Sequence, residues 1–136
     1  MLNKAIEALK DGVCLAVYNP NINTFKTYAG SGVKPLVRAI SADRELFAGA
    51  FAADKTVGRA AALLFVYAGV SEVYGAVMSE PAAEALAEYG VKFSYGRFVP
   101  NILDRTGAGV CPMEKFASRC AAPQAAWALF SERLLG

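Results

Sequence analysis

The segment that most constrains the fold is the apolar run from Ala60 to Ala68, with the sequence AAALLFVYA. A helix with these residues is apolar on every side, so other elements must cover all of its faces. The pattern predicts a central helix over 56–68 that ends at Gly69 as its C-cap. The run has about half the length of a membrane-spanning helix. We therefore expect it to lie inside a protein core.

The composition is typical of one globular domain. A chain of 136 residues can bury a core without disulfides or metals. Hydrophobic residues make up 55% and charged residues 19%, which argues against disorder. No repeat or linker divides the chain, so we expect one domain over 1–136. The N-terminal residues continue into an amphipathic helix pattern without a signal peptide, which favours a cytoplasmic protein that does not bind membranes.

The charge pattern and the cysteines exclude several classes of function. The net charge is +2 and the fourteen basic residues are scattered, so nucleic acid is not an expected partner. Cys14, Cys111 and Cys120 are odd in number and widely spaced. They match neither a disulfide framework nor a CxxC redox pair, and free thiols are expected. The high apolar content with few charges favours a homodimer.

Apolar periodicity and turn residues predict helices that alternate with strands. Helices are predicted over 2–10, 35–40, 56–68, 80–89, from 111 onward and over 124–135, and strands over 13–18, 24–28, 72–79 and 91–99. Residues 42–53 are ambiguous, because Gly49 interrupts an apolar segment. This order predicts an α/β fold, a three-layer α/β/α sandwich.

Three segments are similar to an uncharacterised prokaryotic family, described as a domain of unknown function and grouped with the cytidine-deaminase-like fold. They are Asp54–Lys55 with Gly58–Ala62, Ser79–Ala82, and Arg105–Gly107 with Cys111–Glu114. The resemblance covers nearly the whole chain. It implies a cytidine-deaminase-like mixed sheet and no particular activity.

Zinc deaminases carry H-x-E at the start of one helix and P-C-x-x-C at the start of the next. The second motif falls on 81–85, where Ala82 and Ala85 stand at both thiol positions, and methyl groups cannot bind zinc. The first motif falls near 57–59, and the chain contains no histidine. The resemblance therefore predicts a domain without a metal, without a cofactor and without zinc-dependent deamination.

Polar residues concentrate in the segment 104–115, DRTGAGVCPMEK. Asp104, Arg105, Thr106 and Gly107 precede a predicted helix, and such a glycine-containing loop could cradle a phosphate or a carboxylate. Asp104 could instead hold the loop in a purely structural turn, because glycine pairs before helices serve both purposes.

Cys111 is the candidate catalytic residue. Pro112 suits the first turn of the following helix and Glu114 stands where a capping-box acid belongs. A thiol at this helix start, near Arg105, could act as a nucleophile or a sulfur carrier. Against this interpretation, Glu114 is a local negative charge and no histidine can act as a base. A small buried residue at a tight helix entry explains the same pattern.

A second polar cluster stands where the zinc and general-acid residues of a deaminase would be. It comprises Asp54, Lys55, Gly58 and Arg59, with Ser79 and Glu80 at the next helix start. Lys55 and Arg59 would share a helix face if that helix begins early. Either a salt bridge of Asp54 or Glu80 with Lys55 or Arg59 fills the vestigial pocket, or these charges bind a polar ligand.

Three functions remain open from the sequence. We favour the binding of a small anionic or nucleotide-like ligand, because clustered charges and glycines lie beside helix starts. The first alternative is a thiol-dependent enzyme that uses Cys111 for group or sulfur transfer. The second is a structural or interaction protein that uses Phe116, Trp127 and Phe130 as a contact surface, although core packing explains these aromatic residues equally well.

Overall fold

Helices and strands alternate along the computed structural model, which describes residues 2–104 and 106–135. The elements are α1 (Leu2–Glu7), β1 (Val13–Asn19), β2 (Thr24–Ala29), α2 (Lys34–Ala42), α3 (Arg44–Phe47), β3 (Phe51–Val57), α4 (Arg59–Ala68), β4 (Glu72–Ser79), α5 (Glu80–Glu88), β5 (Lys92–Val99), α6 (Pro112–Ala117) and α7 (Pro123–Leu135). None of the helices within the described residues is both long and apolar enough to cross a membrane.

The strands form one five-stranded mixed sheet in the order β2-β1-β3-β4-β5. β1 is antiparallel to both β2 and β3, whereas β3, β4 and β5 run parallel to one another. The parallel strands are joined by helices, as right-handed crossover geometry requires. The predicted α/β class is therefore confirmed.

Helices cover both faces of the sheet. Leu15 and Val17 of β1 belong to the main core with α2, α4, α5 and α7, while Ala16 faces the other side and packs near Ala5 of α1. This alternation follows from the two-residue period of a strand. The predicted burial of the apolar run is confirmed, since residues 60–65 of α4 are almost fully inaccessible. Gly69 ends the helix at φ 85°, as predicted for a left-handed C-cap.

The central strand β3 differs from the sequence prediction. We predicted a helix from Thr56, but α4 begins at Arg59 and residues 51–57 pair with β1 on one side and β4 on the other. Two alanines and an Asp-Lys pair give this segment weak strand propensity, so its pairing depends on neighbours that are distant in sequence. Asp54 and Lys55 therefore lie on a strand. The prediction that Lys55 and Arg59 share a helix face was wrong.

The turn before β3 is held by a buried side chain. The amide of Asn19 donates to the carbonyl oxygens of Leu46 and Ala48, both at 2.9 Å, and its oxygen accepts from the Asn21 N–H at 2.9 Å. These bonds satisfy a fully buried polar group and fix the ambiguous segment 42–53 as a short helix, a turn and a strand. Asn19 thereby ties the end of β1 to the turn that precedes β3.

Candidate functional site

A cleft of about 670 Å³ opens where β3 ends and α4 begins. We call it the β3 cleft. Its lining residues are Cys14, residues 30–33, Asp54, Lys55, Thr56, Gly58, residues 102–104, Thr106 and residues 111–114. The volume lies within the range of small-molecule sites, and the position beyond the carboxyl end of a parallel strand is where open α/β sheets bind ligands.

The structure brings most of the predicted site residues together. Those that line the β3 cleft are Asp54, Lys55, Gly58, Asp104, Thr106, Cys111 and Glu114. Those that do not line it are Arg59, Ser79, Glu80 and Gly107. Arg105 lies outside the described residues. The cleft therefore joins the two polar clusters, which are about fifty residues apart in the chain.

Glu114 caps the start of α4 rather than its own helix. Its Oε1 accepts from the Arg59 N–H at 2.6 Å and its Oε2 accepts from the Ala60 N–H at 3.0 Å. We predicted a capping box within α6, but the N-cap of α6, Cys111, makes no side-chain capping bond. The reason is that the N-cap of α4 is Gly58, which has no side chain, so its buried N–H groups need an acceptor from elsewhere.

Burial raises the pKa of the Glu114 carboxyl, against the opposing effect of the two N–H donors and the nearby Arg59 charge. The close approach also explains Gly58. A methyl group added at this position would overlap the Glu114 carboxyl. The backbone of Gly58 is extended, at φ −98° and ψ −175°, so alanine would be excluded there by space and not by backbone conformation.

The Arg59 side chain points away from the cleft and caps α6. Its Nε donates to the carbonyl of Ala117 at 3.2 Å and its Nη2 donates to the carbonyl of Cys120 at 2.9 Å. The end of α6 thus receives a cation, which matches the negative end of a helix. Among the described residues, the salt bridge that we considered between Asp54 or Glu80 and Lys55 or Arg59 does not form; Lys26 and Asp43 pair instead, at 2.9 Å.

Asp54 is a buried charged residue of the cleft that forms no ion pair within the described residues. It lies in the middle of β3 opposite Leu15 of β1 and Gly75 of β4, and it is only 8% exposed. Its Oδ1 accepts a long bond of 3.4 Å from the Thr56 N–H. Within residues 2–104 and 106–135, no lysine or arginine forms an ion pair with it. Burial raises the pKa of Asp54 to about 7, so near neutral pH this carboxyl is present in both protonation states.

Two thiols face the same cleft. Cys14 is buried on β1, and desolvation together with the charge of Asp54 raises the pKa of its thiol, so the neutral form is favoured. Cys111 is half-buried at the start of α6. In the described part of the chain, no three histidine, cysteine, aspartate or glutamate side chains form a group that could hold a metal ion. Cys120 lies beyond the end of α6 at Ala117 and is buried in the core.

The Asp104 loop has the geometry of a structural turn. Asp104 Oδ1 accepts from the Thr106 hydroxyl at 2.6 Å, and from the N–H groups of Thr106 and Gly107, both at 3.0 Å. The Thr106 hydroxyl, followed by the backbone N–H groups, holds the pKa of Asp104 below its ordinary value. A bridge between Leu103 and Val110 closes the loop. Of the two interpretations from the sequence, this geometry matches the turn.

The remaining predicted residues have structural positions. Ser79 is fully buried and its hydroxyl accepts from the Ala82 N–H at 3.2 Å, which confirms the predicted N-cap of α5. Glu80 is exposed in the first turn of that helix. The aromatic residues proposed as a contact surface pack inward: Phe130 is fully buried, and Trp127 stacks on Tyr67 at 5.1 Å between ring centroids.

Sequence reasoning missed three parts of the cleft. Cys14, Ile102 and Met113 line the cleft but were not among the predicted site residues. The segment 30–33 was not among the predicted site residues, although glycines before a helix allow the backbone to approach a ligand closely. Ile102 and Met113 could not be recognised as cleft residues from the sequence, because Ile and Met are among the residue types that are often buried in a core.

The Gly58–Glu114 contact predicts a strong coupling between two substitutions. Gly58→Ala should lower the free energy of unfolding by about 1–3 kcal/mol, because the methyl group displaces the capping carboxyl. In a Glu114→Ala background the same change should cost less than about 0.5 kcal/mol, since the obstructing group is gone. Urea unfolding of both single variants and the double variant measures the coupling. Glu88→Ala, an exposed acid on α5, should combine with Gly58→Ala additively; equal costs in both backgrounds would contradict the contact.

The raised pKa of Asp54 predicts a stability profile with a definite sign. Unfolded aspartate titrates near about 3.9, so between this value and about 7 the folded chain binds the proton more tightly. The contribution of Asp54 to the free energy of unfolding is therefore fully present below pH 4. It is lost as the pH rises through 7, which lowers stability by roughly 4 kcal/mol at most. Asp54→Asn should flatten this profile and exceed the wild type in stability at pH 8. The slope that remains reflects Glu114, which shifts in the same direction.

Chemical denaturation at several pH values between 4 and 8 measures this effect. Glu88→Gln serves as the control, because the same amide substitution at an exposed position should leave the profile unchanged. Parallel profiles for Asp54→Asn and the wild type would show that Asp54 is not the titrating group.

Comparisons with known proteins agree with this fold. The model of the family described as "TM1506: Domain of unknown function (DUF1893)" matches residues 4–134. The crystal structure of a DUF1893 family protein, TM1506 from Thermotoga maritima, is similar with a TM-score of 0.85 and 27% sequence identity, over 97% of this chain and 88% of that chain. No curated protein matches the chain. Since the family model spans nearly all of the residues, the chain belongs to the DUF1893 family.

Proposed function

We propose that this protein binds a small molecule in the β3 cleft, and that Asp54 accepts hydrogen bonds from the polar end of that molecule. The observation that carries the proposal is the state of Asp54. The carboxyl is 8% exposed, lines a cleft of about 670 Å³ and has no ion-pair partner within the described residues. Apart from the long bond from the Thr56 N–H, nothing offsets the cost of burying this carboxylate, and a ligand with N–H or O–H donors would compensate for it.

The charges of the cleft favour a donor group over an anion at this position. Its described lining contains three acids, Asp54, Asp104 and Glu114, against one lysine, Lys55. The start of α4, where an anion would otherwise bind, already holds the Glu114 carboxyl. Of the ligand classes expected from the sequence, a nucleotide-like molecule with an amino-bearing ring therefore fits this part of the cleft better than a small anion does.

The architecture supports a deaminase-like arrangement of the site. An initial β-hairpin is followed by helices and parallel strands in alternation, and the cleft lies beside the start of α4. The proposed arrangement does not include the zinc ion of a deaminase. The chain has no histidine, and Ala82 and Ala85 are fully buried at the two positions that would carry thiols. A binding role on this scaffold is argued from Asp54 and not from the fold.

A thermal-shift screen with nucleosides, nucleobases and small amines tests the binding proposal. A ligand at a hundred times its Kd should stabilise the wild type by about 2.7 kcal/mol. Asp54→Asn should weaken that ligand at least about tenfold, because one acceptor is replaced by a donor, and yet raise the stability of the free protein at pH 8. Glu88→Gln is the matched control. Undiminished affinity in Asp54→Asn, or a screen in which no donor-bearing compound stabilises the wild type, would contradict the proposal.

A thiol-dependent enzyme is the alternative, and one observation favours it. Cys111 lines the same cleft as Asp54 and is the most accessible of the three thiols. Its reactivity can be measured alone after Cys14→Ser and Cys120→Ser remove the two buried thiols. An enzyme nucleophile should be alkylated by iodoacetamide at pH 7 faster than a model cysteine peptide, whose pKa is about 8.5. A rate that rises only above that pH would remove this alternative.

A further inference from the structure

A second groove lies next to the β3 cleft. It has a volume of about 660 Å³ and is lined by the end of β2, the Gly30–Ser31 turn and one side of α2. We call it the α2 groove. Gly30 and Ser31 line both cavities, so a single turn of chain forms the border between them. A ligand that crosses this border would contact both cavities at once.

The α2 groove carries the opposite charge to the cleft. Lys34 and Arg38 line it, are exposed, and lie four residues apart on one side of α2. Within the part of the chain that the structure describes, neither forms an ion pair. The N-cap of α2, Val33, makes no side-chain capping bond, so the first N–H groups of the helix have no side-chain acceptor from it. Two cations beside a helix start favour a phosphate.

We propose that the β3 cleft and the α2 groove form one site for a phosphomonoester with an amino-bearing ring at its other end, such as a nucleoside monophosphate. The ring occupies the cleft and donates to Asp54, while the phosphate crosses the Gly30–Ser31 turn and binds Lys34 and Arg38. The inference rests on the proposed function. It adds the phosphate position and, with it, the ligand class.

The contrast between the two cavities carries this assignment. Asp54 is nine-tenths buried and faces the cleft, so the end of the ligand that reaches it must bring hydrogen-bond donors. The half-buried apolar side chains of Ile102 and Met113 line the cleft and favour a ring there. The basic groove is exposed, as suits a group that stays strongly hydrated. A simple aminoalkyl phosphate also offers N–H donors at one end and a phosphate at the other, but its amine is cationic and it has no ring, and the experiment separates the two classes.

Titration calorimetry with AMP, CMP, adenosine, cytidine, ribose 5-phosphate and phosphoethanolamine tests the inference. At low salt, the nucleotides should bind about tenfold more tightly than their nucleosides, since two exposed cations contribute about 1.4 kcal/mol together. The difference should shrink as salt is raised. The double variant Lys34→Ala/Arg38→Ala should abolish it. Lys92→Ala/Arg97→Ala removes the same two charges from exposed positions of β5, at the opposite side of the sheet from β2, and should preserve it.

The outcomes distinguish this inference from the proposed function. Equal affinities of nucleotide and nucleoside in the wild type, both weakened by Asp54→Asn, would overturn the phosphate position while the binding role of the cleft stands. A nucleotide advantage that survives Lys34→Ala/Arg38→Ala would overturn the inference too. If phosphoethanolamine binds as tightly as the nucleotides, the ring is not required, and the ligand class proposed here would be wrong. If none of the six compounds binds, the inference fails, and the broader screen then decides the proposed function.

Discussion

The bond between the Glu114 carboxylate and the start of α4 is the contact on which the rest of the site depends. The most buried helix of the protein begins at a glycine and has no capping side chain of its own, so its first N–H groups need an acceptor inside the protein. Glu114 supplies that acceptor, and Arg59 of α4 in turn binds the carbonyls at the end of α6. Each helix thus satisfies the other's terminus, and α6 is held at the mouth of the β3 cleft.

Two carboxyls of the cleft, buried Asp54 and half-buried Glu114, differ in their partners. Glu114 receives two backbone hydrogen bonds, whereas Asp54 receives one long bond from Thr56. Burial raises the pKa of both, but only Glu114 has a structural task that accounts for it. A buried acid with so weak a hydrogen bond lowers stability, and on this ground we propose that Asp54 binds the polar end of a ligand. The exposed cations Lys34 and Arg38 of α2 line the neighbouring groove, which the Gly30–Ser31 turn separates from the β3 cleft.

Local signals predicted much of the fold. The hairpin of β1 and β2, the start of α5 at Ser79 and the end of α4 at Gly69 agree with the sequence analysis, because each depends on residues within a few positions of one another. The strand β3 could not be predicted in this way, because its alanines and charges become a strand only between β1 and β4. Most of the predicted site residues line one cleft, but Arg59 and Ser79 bind backbone groups and do not line it.

By itself, the sequence determined the α/β class and the buried central helix, since these follow from composition and periodicity. The tertiary structure decided which polar residues face one another. Glu114 and Gly58 are fifty-six positions apart, and Asp54 and Cys111 are fifty-seven apart, so no local pattern relates them. Their meeting depends on the order of the strands and on the path of the chain from β5 to α6, which only the packing of the whole core fixes.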